Sequence, residues 1–266
     1  LCYAQLGSLY RNLYQQSATH NSVDHEFFSR AVHYYEEYLK LMVSPLDVAD
    51  ANYKLARLYG ILDQVQIRPF DTYAESLEGP SSAEHFHELQ LSASNHSLDV
   101  DSYLAKNTPL LDYGKKAALI YADILYTMTE NSECWTRVLE FHKNVYTLLQ
   151  EYNVRRYVIL VRNQILTHKP LSHEDMETAN RWMRQALLWA ERERTRALLY
   201  QLGPNRLSPL ASKELRAFDT NDHVAWEALQ CTPAMCGEGT VFVEYSNFTS
   251  TNRWLVYIIT HVCPLL

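Results

Sequence analysis

Four groups of residues in this sequence have types and spacings that could do chemistry. His261 and Cys263 stand two apart near the end of the chain. A thiolate beside an imidazole base is the equipment of a cysteine nucleophile. Cys231 and Cys236 could supply half of a zinc site. His85, His87 and His96 could bind a metal or titrate near neutral pH. Glu191, Arg192, Glu193, Arg194 and Arg196 crowd charge into the middle of an apolar run, "ALLWAERERTRALLYQLG". Ion pairs there could fix a junction between elements or bind a charged ligand.

The first three groups lack the surroundings their chemistry needs. Residues two apart on a strand do not by themselves present a working dyad. No second Cys/His pair lies near Cys231 and Cys236, and zinc needs a closed set of ligands. The three histidines fall in a polar, serine-rich stretch and read as solvated. No catalytic residue, metal ligand or cofactor-binding residue is therefore expected. The charged run is the informative group, and it reads as a structural junction rather than a catalyst.

Composition narrows the class. The chain has 266 residues, 47% hydrophobic and 21% charged, enough for one large domain or two modest ones. A net charge of −7 argues against a broad nucleic-acid-binding surface. Only 7 Gly stand against 19 Tyr, which favours helices over a sandwich or a glycine-looped nucleotide fold. The 5 Cys are odd in number and unpatterned, as in a reduced, cytoplasmic protein. The longest apolar run, "WLVYIITHVCPLL", is broken by His261 and Pro264 and is too short to span a bilayer. No signal peptide is read. The chain begins inside a helical pattern and stops just after a strand-like run, so a fragment is expected.

Helical periodicity organises most of the length. "YAQLGSLY" sets Leu6, Gly7 and Tyr10 at the spacing of the first helix of a tetratricopeptide repeat. Ala31 and Tyr35 suit its second helix, whereas Tyr38 stands where a small residue belongs. "NYKLARLY" repeats the first-helix pattern through Leu55, Ala56 and Tyr59. The interval from Leu6 to Leu55 exceeds the family repeat of about 34 residues, so an insertion is expected near residues 16–25. Residues 1–62 thus read as tetratricopeptide-like helical repeats. Residues 63–108 read as a polar insertion or loop, with a turn at Gly79–Pro80 and at most a short helix over 82–91. Residues 109–203 read as a further helical repeat region and a long junction helix. Asn131 or Ser132 is a candidate cap there, "YVILV" at 157–161 reads as helix, and Ser172 with Asp175 forms a near capping box. Gly203 and Pro204 supply stop signals.

On a wheel of about 100° per residue, the junction helix sets Met183, Leu187, Ala190, Arg194, Ala197 and Leu198 on one face. Arg194 sits mid-stripe, and Glu191 is placed to pair with it. Trp182, Trp189 and Tyr200 make an aromatic side, and Arg192 with Arg196 are left facing water. Two apolar faces mean a helix covered twice, fixed by a buried Glu191–Arg194 pair. After two short helices beginning near Ser208 and Asp222, the composition turns β-rich. "GTVFVEYS" and "RWLVYIIT" bracket a polar turn, "NFTSTN", and read as an antiparallel hairpin.

Helix, spacer and hairpin in this order resemble tetratricopeptide repeats followed by a CHAT domain, a caspase-like module. The resemblance rests on Ala190, Glu191, Arg192, Arg194, Arg196, Ala197 and Leu198 in the helix. Glu244 and Tyr245, ending the first strand, and "WLVYIIT" in the second add to it. It implies a mainly α chain of helical hairpins followed, over residues 204–266, by the opening β-hairpin of an α/β caspase-like domain. It also implies a His/Cys dyad on later strands, whose His-Gly and Ala-Cys surroundings do not occur here. The expected function is a non-catalytic protein-interaction scaffold binding a protein or peptide on a concave repeat surface. Tyr3, Tyr10, Asn52 and Tyr59 are its candidate contacts. The alternative is the regulatory N-terminal portion of a caspase-like cysteine peptidase.

Overall fold

The computed structural model describes residues 2–19, 23–77, 99–127, 133–167, 170–202, 209–235, 241–248 and 253–260. It is mainly helical. Among these residues the helices are α1 (Cys2–Thr19), α2 (His25–Leu41), α3 (Pro45–Leu77), α4 (Val100–Thr127) and α5 (Glu133–Thr167). They continue with α6 (His173–Leu202), α7 (Pro209–Thr220) and α8 (Asp222–Met235). Two strands follow, β1 (Val241–Phe248) and β2 (Arg253–Thr260). None of the described helices is long and apolar enough to cross a membrane.

Local chemistry sets the helix ends. Asp24 caps α2, its carboxylate accepting from the Glu26 backbone N–H at 2.9 Å. Pro45 opens α3, where a missing N–H costs nothing. At the start of α6 the capping box is reciprocal. The Asp175 N–H donates to Ser172 Oγ at 3.1 Å, and the Ser172 N–H returns to Asp175 Oδ2 at 3.2 Å. Asn221 caps α8 by accepting from the N–H groups of His223 and Val224. "YVILV" lies inside α5, as its helical face requires.

The chain divides into two compact units, residues 1–120 with 152–183, and residues 121–151 with 184–266. In the first, α1 packs on α2, α2 on α3, and α1 touches α3. Tyr14, Ala31, Tyr35, Leu55, Leu58 and Leu62 form its core. Gly7 permits the α1–α2 crossing, because a Cβ there would stand 2.5 Å from the Tyr35 ring. Ser8 Oγ and Tyr35 Oη lie 3.1 Å apart beside it. A second cluster joins Leu160, Ala179 and Trp182, with Val100, Leu104 and Tyr157 against it.

The polar insertion expected over 63–108 is helical at both ends. α3 runs on to Leu77, and α4 begins at Val100 with Pro109 inside it. The reason is that some of these polar residues are buried and partnered. Asp63 is wholly buried and pairs with Arg155, and the Tyr103 hydroxyl donates to the same carboxylate. Asn107 donates to Gln66 at 2.6 Å and to the Tyr103 carbonyl at 2.9 Å. Among the described residues of this stretch, Asp63, Tyr103 and Asn107 belong to a buried hydrogen-bonded network and not to solvent.

In the second unit, Tyr121, Val138, Leu139, Val145, Tyr146, Leu149, Trp189 and Leu199 are buried. β1 and β2 pair antiparallel, from Val241 opposite Thr260 to Phe248 opposite Arg253. Asn247 and Phe248 belong to the first strand rather than to the turn. Val243 stands opposite Ile258 and Tyr245 opposite Val256, β-branched and aromatic partners that favour a sheet.

Several sequence expectations lie outside the described residues. These are His85, His87, His96, Gly79–Pro80, the helix over 82–91, Asn131, Ser132, Gly203, Pro204, Ser208, Cys236, His261 and Cys263.

Candidate functional site

Two constellations stand out, one in each unit. On the first hairpin, Tyr3 and Tyr10 lie two turns apart on α1, as Phe27 and Tyr34 do on α2. Their rings interleave. Tyr3 and Tyr34 stack at 6.2 Å between centroids, Tyr34 and Tyr10 at 5.5 Å, and Tyr10 meets Phe27 at 6.3 Å. Arg30 lies over the Tyr10 ring at 5.4 Å, and its Nη1 donates to the Tyr10 hydroxyl at 3.0 Å. Tyr3 is 39% exposed, and Tyr10 and Tyr34 are half-buried.

The four expected contact residues therefore divide. Tyr3 and Tyr10 belong to a partly exposed aromatic ladder. Asn52 is buried, and its Nδ2 donates to the Val48 carbonyl at 2.8 Å, so it serves packing within α3. Tyr59 is wedged between Phe28, edge-on at 5.3 Å, and Tyr113, stacked at 6.1 Å. Burial, with the nearby Glu36 charge, raises its phenol pKa. Tyr34 and Phe27, which complete the ladder, were missed. Their spacing of seven matches that of Tyr3 and Tyr10 and was the available signal.

In the second unit the charged run of α6 resolves differently from the wheel. Arg192 and Arg196 are 0% and 1% exposed, whereas the Arg194 side chain is 47% exposed. Arg194 does reach Glu191, Nη1 to Oε1 at 3.0 Å, but at the surface. The structural junction assigned to Glu191 and Arg194 thus belongs to Arg192 and Arg196. Ala197, Leu198 and Tyr200 are exposed, and the buried stripe runs through Trp189, Arg192, Arg196 and Leu199. Before it, Ala186 to Ala190 are buried at every position, so this part of α6 is covered all round.

Both guanidiniums grip the α7–α8 corner. Arg192 Nε donates to the Phe218 carbonyl at 3.0 Å, in the last turn of α7, where carbonyls lack helical partners. Its Nη2 lies 2.9 Å from Asp222 Oδ1, at the first residue of α8, and its guanidinium stacks on Trp189 at 4.5 Å. Arg196 Nη2 meets Asp219 Oδ2 at 2.8 Å and donates to the Tyr126 hydroxyl at 2.7 Å. That hydroxyl donates in turn to Asp219 at 2.7 Å.

Burial raises the Asp219 pKa, opposed by the Arg196 charge and the Tyr126 hydrogen bond. Burial also lowers that of Arg196, but the Asp219 charge with Tyr146 and Tyr126 more than reverses it. Desolvation, with the Asp219 charge, pushes the Tyr126 and Tyr146 phenols up. The Arg196 charge works against the neutral form of Asp219 that burial favours, and the Asp219 charge favours the protonated guanidinium of Arg196. The arrangement is a structural clamp, with no nucleophile and base brought together.

The first unit holds a parallel case. Burial raises the Asp63 pKa, against the opposing pull of Arg155 and the Tyr103 hydroxyl. Among the described residues, no group of three or more His, Cys, Asp or Glu side chains could hold a metal ion. No protein-family model matches this chain, and no curated protein or solved structure does either.

Proposed function

We propose that this chain is a protein-interaction scaffold. In this reading, tetratricopeptide-like hairpins offer a surface to a peptide or partner helix, and a CHAT-like, caspase-like domain opens at the β-hairpin. The ladder of Tyr3, Tyr34 and Tyr10 carries the reading. It gives one hairpin a partly exposed row of rigid aromatic rings, which bind partners at low entropic cost. Gly7 against Tyr35 supports the repeat-like part, since a small residue at the helix crossing is what that pattern requires. The order of α6, two short helices and a hairpin supports the CHAT-like part. The scaffold acts in the cytoplasm without cofactor, nucleic acid or membrane, and residues 1–266 have no catalysis of their own.

Panning a random peptide library against the wild type and a Tyr3→Ala/Tyr10→Ala variant tests this. Peptides enriched on the wild type and lost on the variant are expected. Equal enrichment on both would remove the ladder from binding. Thiol-inhibitable turnover of a fluorogenic peptide would overturn the non-catalytic reading.

A second reading makes the helices the regulatory portion of a caspase-like cysteine peptidase with its His/Cys dyad on later strands. The arginines of α6 favour it, because they tie the helical region to the elements leading into the β-hairpin.

A further inference from the structure

The way α7 and α8 are attached points to a conformational device that does not depend on the scaffold reading. Of their described side chains, Asp219 and Ala225 alone are buried. Leu210 and Val224 are exposed. A helical pair normally sits down on an apolar face, and here Leu215, Ala217, Phe218, Trp226 and Leu229 are only half-buried. Polar attachments to the pair come from α4 and α6. Arg192 takes the Phe218 carbonyl and the Asp222 carboxylate, and Arg196 with Tyr126 takes Asp219. Arg216 pairs with Asp123, Gln185 donates to Asp222 at 3.2 Å, and Arg184 lies over Trp226 at 5.2 Å. By contrast, α5 and α6 bury Trp135, Val138, Leu139, Tyr146, Leu149, Trp189 and Leu199 in this unit.

We propose that α7–α8 is an electrostatic latch, closed on α6 by Arg192 and Arg196, that opens as one piece while α5 and α6 stay folded. Segments whose apolar residues are only partly covered open at lower free energy than a fully buried core such as that of α5 and α6. Charge attraction helps hold the latch closed, and salt screens its solvent-exposed part, Arg192 with the half-exposed Asp222 and Arg216 with Asp123. Asp219 and Asp222 act as the in-chain acidic occupants of an arginine pair on α6. Opening uncovers both guanidiniums, at a point in the chain just ahead of the β-hairpin.

Hydrogen exchange read by mass spectrometry on residues 1–266 tests the latch. Raising salt from about 0.05 M to about 1 M is expected to speed exchange in α7 and α8 severalfold, with little change in α5 and α6. Asp222→Asn, at a half-exposed carboxylate that leaves the buried pair intact, is expected to speed the same peptides roughly tenfold at low salt. Two results would overturn the proposal. One is α7–α8 exchange as slow as that of α6 and indifferent to salt. The other is Asp222→Asn speeding α5 and α6 by the same factor as α7 and α8, which would make the corner part of one cooperative core.

Discussion

Arg196 and Asp219 meet at 2.8 Å with both side chains fully shielded from solvent. Taking two charges out of water costs several kcal/mol each, and their attraction repays this only when the partners stay together. The pair adds little net stability, but losing one member strands the other.

The first prediction follows from that asymmetry. Arg196→Ala leaves the Asp219 carboxylate buried without its cation and is expected to destabilise by about 3–5 kcal/mol. Arg194→Ala removes a surface pair of the kind that contributes under about 1 kcal/mol. Urea unfolding of the two variants beside the wild type checks this. Equal midpoints would mean that Arg196 is not the buried residue.

The wheel of α6 went wrong here for a physical reason. Periodicity finds the core by treating arginine as polar, and two arginines stand on the buried stripe. Trp189, Arg192, Arg196 and Leu199 follow the spacing of a helix face, so the stripe was legible once arginine was allowed on it. Their carboxylate, Asp219, lies on a separate helix, and nothing local announces it. Asp63 and Arg155, ninety-two positions apart, hid the helical ends of 63–108 in the same way. Features encoded locally were legible: the Ser172–Asp175 box, the small residue at Gly7, and the helical face of 157–161.

Gly7 supplies a second prediction, in which two effects oppose each other. Ala gains about 1 kcal/mol over Gly in a helix interior. At this position its methyl would meet the Tyr35 ring at 2.5 Å, and overpacking of that sort costs about 1–3 kcal/mol. Gly7→Ala is therefore expected to lower thermal stability, and Gly7→Val to lower it further. A rise in Tm for Gly7→Ala would show that the α1–α2 crossing is looser than it stands here.

Asn52 and Tyr3 separate packing from contact. Asn52→Ala removes a buried donor from the Val48 carbonyl and is expected to cost about 1 kcal/mol while leaving peptide binding unchanged. Tyr3→Ala, at a 39% exposed ring, is expected to weaken binding with little change in the unfolding midpoint. Binding isotherms and urea titrations of both variants, using a peptide enriched on the wild type, check the pair. Reversal of the two effects would exchange their roles.

The last prediction concerns pH. Burial holds the pKa of Asp63 above its ordinary value, and that of Asp219 likewise. In the unfolded chain both fall back to about 3.9. Between that value and the raised one, the folded chain binds more protons than the unfolded chain. Stability then falls as pH rises. The contribution of each group is fully present below about pH 4 and is lost as pH climbs through the raised pKa. Asp63→Asn, close in shape and unable to ionise, removes one of the two titrations. Its stability is expected to fall less steeply than the wild type's as pH rises from about 4 toward neutrality. Urea midpoints across that range give both slopes. A wild-type stability that rises with pH more steeply than the variant's would mean that Arg155 outweighs desolvation and holds the Asp63 pKa below its ordinary value.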